Sequence, residues 1–172
     1  MADVLSGQPC PVCGEKTLEL REDNQDIPYF GEVFILSMSC SKCGFHKSDV
    51  EAAEMKDPME HTIEVDCEDD MKIRIVRSSQ ATIKVPHIVT IEPGPGAEGY
   101  VSNIEGLLTR IRDKINSTRE NEEDEQVKKK AKKLVKKLNK VMWGQEKLKI
   151  TIKDPSGNSA IISDKAVVKK LR

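Results

Sequence analysis

The feature that most constrains this chain is a pair of matched cysteine knuckles, Cys10-Pro-Val-Cys13-Gly14 and Cys40-Ser-Lys-Cys43-Gly44. Two thiolates two residues apart can face one Zn2+ at about 2.3 Å from each sulfur, and a second pair closes the tetrahedron. The glycine after each pair lets the chain turn under the metal at positive φ without a steric cost. A redox Cys-x-x-Cys accompanies a βαβ pattern, which is absent around these residues. Cys10, Cys13, Cys40 and Cys43 are therefore the expected ligands of one zinc ion. Four thiolates leave no open position for water, so this metal is expected to be structural and not catalytic.

Other cysteine and histidine positions read more plainly. His46, three residues beyond Cys43, is taken as a surface residue, and Cys67 as a small buried apolar one. An odd cysteine count and an N-terminus with no basic or apolar stretch argue against a secretory signal and a disulfide framework. A reducing, cytoplasmic location is expected. No run of about 18 apolar residues suggests a membrane span. The 172 residues carry 28 Lys+Arg against 29 Asp+Glu, a net charge of -1. That balance disfavours a globally basic nucleic-acid binder while leaving room for a local basic face. Aromatics are 3%, so a stacking platform for single strands has little material.

Hydrophobic periodicity divides the chain into a zinc ribbon over 1–50 and a β-domain over 51–172. In the ribbon, Thr17 to Arg21 and Tyr29 to Ser39 read as strands. In the second, Phe34, Leu36 and Met38 point one way and Val33 and Ile35 the other. Asp49 to Asp57 reads as a short helix-compatible linker closed by Pro58. Strands are expected at His61 to Cys67, Met71 to Val76 and Ala81 to Ile91, the last bent or bulged at Pro86. The stretch from Glu92 to Gly99 is too rich in Gly and Pro for a regular element. A helical hairpin then occupies about 102–143. Ser102-x-x-Glu105 reads as the capping box of its first helix, and the second runs from about Asn121 to Trp143 with an acidic start and a Lys-rich body. Strands at Lys147 to Lys153 and Ser159 to Ser163 flank the turn Asp154-Pro-Ser-Gly-Asn-Ser159. The expected class is mainly β with an α-helical hairpin.

These segments together resemble the ZPR-type zinc-finger proteins, most like an archaeal single-module member. The resemblance rests on both cysteine knuckles, on Arg77-Ser-Ser-Gln-Ala-Thr-Ile83, on Gly94 to Gly99 running into Ser102-Asn-Ile-Glu-Gly-Leu-Leu108, and on Asp154 to Ser159. It implies a double-stranded β-helix beside the ribbon, with the helical hairpin inserted. It also implies a non-catalytic protein-interaction role: binding translation elongation factor one-alpha, or a related translational GTPase, and assisting its folding. Partner contacts are expected at the ribbon hairpin (Glu32), the loop (Glu98, Gly99) and the C-terminal turn (Asp154, Asn158, Ser159).

The residues themselves are compatible with two other classes. Lys128, Lys129, Lys130, Lys132, Lys133, Lys136, Lys137 and Lys140 could track RNA phosphates, or be a solvated helix face chosen for helix propensity. An enzyme is disfavoured, because there is no Gly-x-Ser-x-Gly, phosphate loop or His-Glu-x-x-His. His61, His87 and Glu64 are the set from which a facial triad can be imagined, with a spacing that is not diagnostic.

Overall fold

A computed structural model describes residues 3–27, 31–52 and 56–171. The N-terminal unit is a four-stranded antiparallel meander: β1 (Asp3–Gln8), β2 (Leu18–Ile27), β3 (Gly31–Cys40) and β4 (His46–Ala52). Two of these strands were not expected. β1 is exposed along nearly its whole length, so it carries no alternating signal. β4 replaces the first half of the expected helical linker. Asp49, Val50, Glu51 and Ala52 pair with Leu36, Ile35, Phe34 and Val33 of β3, and tertiary pairing overrides a weak local preference. Residues 53–55 of that expected linker lie outside the described residues.

The rest of the chain builds a two-sheet sandwich. A five-stranded sheet has the order β12 (Val167–Lys170), β5 (Met59–Val65), β10 (Leu148–Asp154), β7 (Thr82–Val85), β8 (Val89–Ile91). A three-stranded sheet has the order β11 (Ala160–Ile162), β6 (Arg74–Arg77), β9 (Tyr100–Asn103). Ile63 and Val65 from β5, Ile75 from β6, Ile83 and Val85 from β7 and Leu148, Ile150 and Ile152 from β10 fill the space between them. Each fully buried Val or Ile contributes about 1.5–3 kcal/mol relative to exposure. The bend expected at Pro86 is the tight turn between β7 and β8, where His87 takes φ 62.

The helical hairpin enters between β9 and β10 as α1 (Ile104–Glu120) and α2 (Glu125–Met142). Ile104, Leu107, Leu108 and Ile111 of α1 and Leu138 and Val141 of α2 join the sandwich core. The cap is shifted from the expected one. Ser102 pairs with Ile75 in the sheet, and Asn103 caps the helix by accepting from the Gly106 amide at 2.8 Å. Likewise α2 starts later than expected, capped by Asp124, whose carboxylate accepts from the Gln126 amide. The strand expected over Met71 to Val76 is shorter, because Glu68–Lys72 forms a 3-10 turn that buries Met71. Cys67, expected inside, is exposed.

Ribbon and sandwich share a small core of their own. Val33 of β3 meets Val76 of β6 and Ala160 of β11, with Ile35, Val50 and Ile162 packed around them. The 98–99 loop is fixed at the same seam. Arg77 donates to the carbonyls of Glu98 and Ala81 at 3.2 and 3.0 Å, and Lys47 of β4 bridges the Glu98 carboxylate at 3.2 Å.

Candidate metal centre and the surfaces around it

The two knuckles sit at the same end of the ribbon because β2 and β3 are in register, with Leu18 opposite Cys40. The Gly14 amide donates to the Cys10 carbonyl at 2.9 Å and the Gly44 amide to the Cys40 carbonyl at 3.0 Å. Gly14 and Gly44 take φ 74 and 72, a conformation that a Cβ would strain. The two loops are thus near copies.

All four sulfurs lie within 4.8 Å of one another. Cys10 stands 3.7 Å from Cys43, and Cys13 stands 3.7 Å from Cys40. A regular tetrahedron with metal–sulfur bonds of about 2.3 Å has edges of about 3.8 Å, so the spacing fits one zinc ion. It is far from the roughly 2.05 Å of a disulfide. Cys10 and Cys40 are buried on Leu18, while Cys13 and Cys43 are open to solvent.

The sulfurs also have outer contacts of the kind that orient metal ligands. The Val12 amide donates to the Cys10 sulfur at 3.4 Å, and the Thr17 hydroxyl lies 3.2 Å from the Cys40 sulfur. That hydroxyl, with the Cys43 amide, pulls the Cys40 thiol down to about 6. At Cys43 the Phe45 amide favours the thiolate, but desolvation and the neighbouring sulfurs outweigh it and push the thiol up to about 12. Four thiolates in one place oppose each other, and a dication relieves that opposition.

The remaining expected site residues fall elsewhere. His46 is exposed and its Nδ1 lies 3.0 Å from the Ser39 hydroxyl, away from the sulfurs. Glu32 is exposed at the ribbon tip and accepts from the Asn24 amide group. Glu98 and Gly99 face the ribbon of the same chain, where Gly99 donates to Asp49. Asp154, Asn158 and Ser159, expected to touch a partner, are buried at 0, 6 and 2% exposure. Their burial has a clear cause. The Asp154 carboxylate accepts from the amides of Ser156 and Asn158 and from the hydroxyls of Ser156 and Ser159, at 2.6 to 2.9 Å. The turn residues hold the turn. Burial raises the Asp154 carboxyl, but the Ser159, Ser156 and Ser78 donors outweigh it and hold it below its ordinary value of 3.8.

The imagined facial triad is not assembled. His61 lies on the inner face of β5 with Ile63 and Val65, while Glu64 is on the opposite, exposed face. His87 is exposed on the β7–β8 turn. A second group of candidate ligands, Asp66, Cys67 and Asp70, already receives a cation from the chain. The Lys165 ammonium lies 3.2 Å from Asp66 and 2.8 Å from Asp70.

One feature of the ribbon was only half legible in the sequence. The alternation of β3 gives its sheet two apolar faces. Val33 and Ile35 are covered by the sandwich. On the other face Leu5, Leu20 and Met38 are cross-strand neighbours, with Leu36 one step along. These four line a groove of about 270 Å3, and Leu5 is 62% exposed.

A four-cysteine zinc ribbon packed on a two-sheet β-sandwich with an inserted helical hairpin is the class these features define. Residues 3–57 match the ZPR1 zinc-finger domain and residues 69–170 the ZPR1 jelly-roll domain, so the chain belongs to the ZPR1 family. It is 42% identical over 157 residues to an uncharacterized ZPR1-like protein of Methanocaldococcus jannaschii, covering 90% of this chain and 79% of that one. A ZPR1-like protein of Pyrococcus horikoshii is 41% identical, covering 94% and 75%. The zinc finger chaperone zpr1 of Schizosaccharomyces pombe is 32% identical over 78% of this chain, which spans 30% of that longer protein. Among the described residues, no helix is long and apolar enough to cross a membrane.

Proposed function

We propose that this chain is a non-catalytic binding module that recognises translation elongation factor one-alpha, or a closely related translational GTPase, and assists its folding in the cytoplasm. In this reading Cys10, Cys13, Cys40 and Cys43 ligate one zinc ion that holds the ribbon in shape. Metal binding of this kind is also folding energy, on the order of 10–16 kcal/mol.

The observation that carries the proposal is the open apolar face of the ribbon. Leu5, Leu20, Leu36 and Met38 form a contiguous apolar strip on a sheet whose other face is already used. A folding client offers exposed apolar segments, and a half-open groove of this kind binds them by burial without chemistry. Asp3, Arg21 and Glu22 are the charged residues lining that groove, and Glu32, toward the tip of the same ribbon, would be a further charged contact. The chaperone name carried by the fission-yeast relative supports a client-binding role.

The mechanism needs only a difference in affinity. The chain would bind the incompletely folded client more tightly than the finished one, and so release it as folding buries the bound segment. Affinity capture from nuclease-treated lysate tests this, comparing the wild type with Leu5→Asp and with Cys10→Ser/Cys13→Ser. The expected result is recovery of the elongation factor by the wild type and its loss with both variants. Recovery of the factor at equal yield by all three would reject the ribbon as the contact surface.

A further inference from the structure

The lysines of α2 are not equivalent, and the difference lies in their partners and in their place around the helix. Lys128 bridges Glu125 at 3.0 Å and Lys137 bridges Glu146 at 3.6 Å. Lys129, Lys130, Lys132, Lys133, Lys136 and Lys140 are all exposed, and among the described residues none of them has an acidic group at ion-pair distance; Lys129, Lys133, Lys136 and Lys140 are the four that line up. Their spacing of four, three and four residues places them in one row along the helix. The next member of that row, three residues on, is Trp143. It is the single tryptophan of the chain and is 64% exposed at the C-cap of α2. The row lies opposite the stripe of Leu138 and Val141 that anchors the helix in the core.

We infer that this row is a binding site for single-stranded RNA, separate from the ribbon and independent of the client-binding reading. The four ammonium groups would meet successive phosphates along a track of about 16 Å, the rise of the eleven residues from Lys129 to Lys140, and Trp143 extends the row to about 21 Å. The indole at its end offers a face for one base to stack on. Few aromatics in the whole chain do not weaken this, because the row needs one. A lipid surface fits less well. Leu138, Val141 and Met142 of α2 are turned into the core, and Trp143 alone on the outward row gives a bilayer little to bury. An acidic protein is the competing occupant for the lysines, and poly-glutamate stands in for it in the test.

The test uses the zinc-loaded full chain and its own tryptophan as reporter. Titration with a single-stranded oligoadenylate should quench Trp143 emission. The logarithm of the affinity should fall with the logarithm of salt concentration at a slope of about -2.8, which is about -0.7 for each of four phosphates. Changing Lys129, Lys133, Lys136 and Lys140 together to Gln should abolish the quenching while leaving zinc content and the circular dichroism spectrum unchanged. With labelled RNA read by anisotropy, Trp143→Ala should weaken binding roughly 5- to 140-fold. Three results would overturn the inference: no quenching, quenching retained by the four-lysine variant, or equal binding of poly-glutamate. A tryptophan blue shift with phosphatidylglycerol vesicles and none with RNA would instead assign the row to a membrane.

Discussion

The amide of Gly99, in the loop before β9, donates a 2.8 Å hydrogen bond to the carboxylate of Asp49 on β4. The bond crosses the seam between the zinc ribbon and the jelly roll, and the same carboxylate oxygen also caps the Val50 amide. A Cβ at position 99 would collide with the Val50 carbonyl oxygen. Gly99→Ala is therefore expected to push the ribbon off its seat and to cost about 1–3 kcal/mol. Asp49→Ala should cost a similar amount by stranding the Gly99 amide. Urea unfolding of both variants, followed by near-ultraviolet and far-ultraviolet circular dichroism, measures this.

The C-terminal turn should behave as a structural element. Asp154→Ala removes the acceptor for two amides and two hydroxyls in a fully buried position. A loss of about 3 kcal/mol or more is expected. Thermal melts check it, and a melting temperature equal to wild type would contradict the geometry.

Zinc content should follow four cysteines and ignore the fifth. Cys10→Ser/Cys13→Ser should abolish stoichiometric zinc, and Cys67→Ser should leave one ion per chain, as read by elemental analysis. Chelation should melt the ribbon, because a unit of that size buries too little on its own. Amide signals of the jelly-roll core, such as Ile150 and Ile83, should keep their dispersion, while those of Val76 and Ala160 shift as Val33 leaves them.

Acid should weaken the Lys165 contact in a defined window. Burial alone raises the Asp70 carboxyl, but the Lys165 ammonium and the Asp66 amide hold it down at about 2. A depressed carboxyl contributes stability that is fully present above its ordinary value of 3.8 and is lost as pH falls through the folded value. The stability difference between wild type and Asp70→Asn should thus be constant at neutral pH and shrink as pH falls from about 3.8 to about 2. A difference that stays constant across that window would show that Asp70 is not held ionised by Lys165.

The cysteine knuckles and the amphipathic helices were legible in the sequence because each signal is local and complete. Two cysteines and a glycine specify a knuckle, and Leu107, Leu108 and Ile111 specify a buried stripe. The missed strands lack such a signal. In β4 Val50 is the one large apolar residue, and its partner Ile35 is fifteen residues away. In β12 all four residues are exposed. The burial of the Asp154 turn was hidden for a different reason. Asp, Ser and Asn are polar wherever they sit, and only the fold decides whether that polarity faces solvent or closes on itself. The alternation of β3 was correctly read, but which of its two faces meets the jelly roll depended on the placement of β6 and β11.

The most direct measurement is calorimetric titration of purified, zinc-loaded chain into purified archaeal-type elongation factor one-alpha, with Leu5→Asp and Cys10→Ser/Cys13→Ser alongside. The account predicts saturable binding by the wild type and at least roughly tenfold weaker binding by Leu5→Asp, the size of effect expected for an apolar anchor. No binding is expected of the cysteine variant, whose ribbon would lack the metal that holds it in shape. No heat with the wild type, for both the native and the refolding factor, would contradict the account.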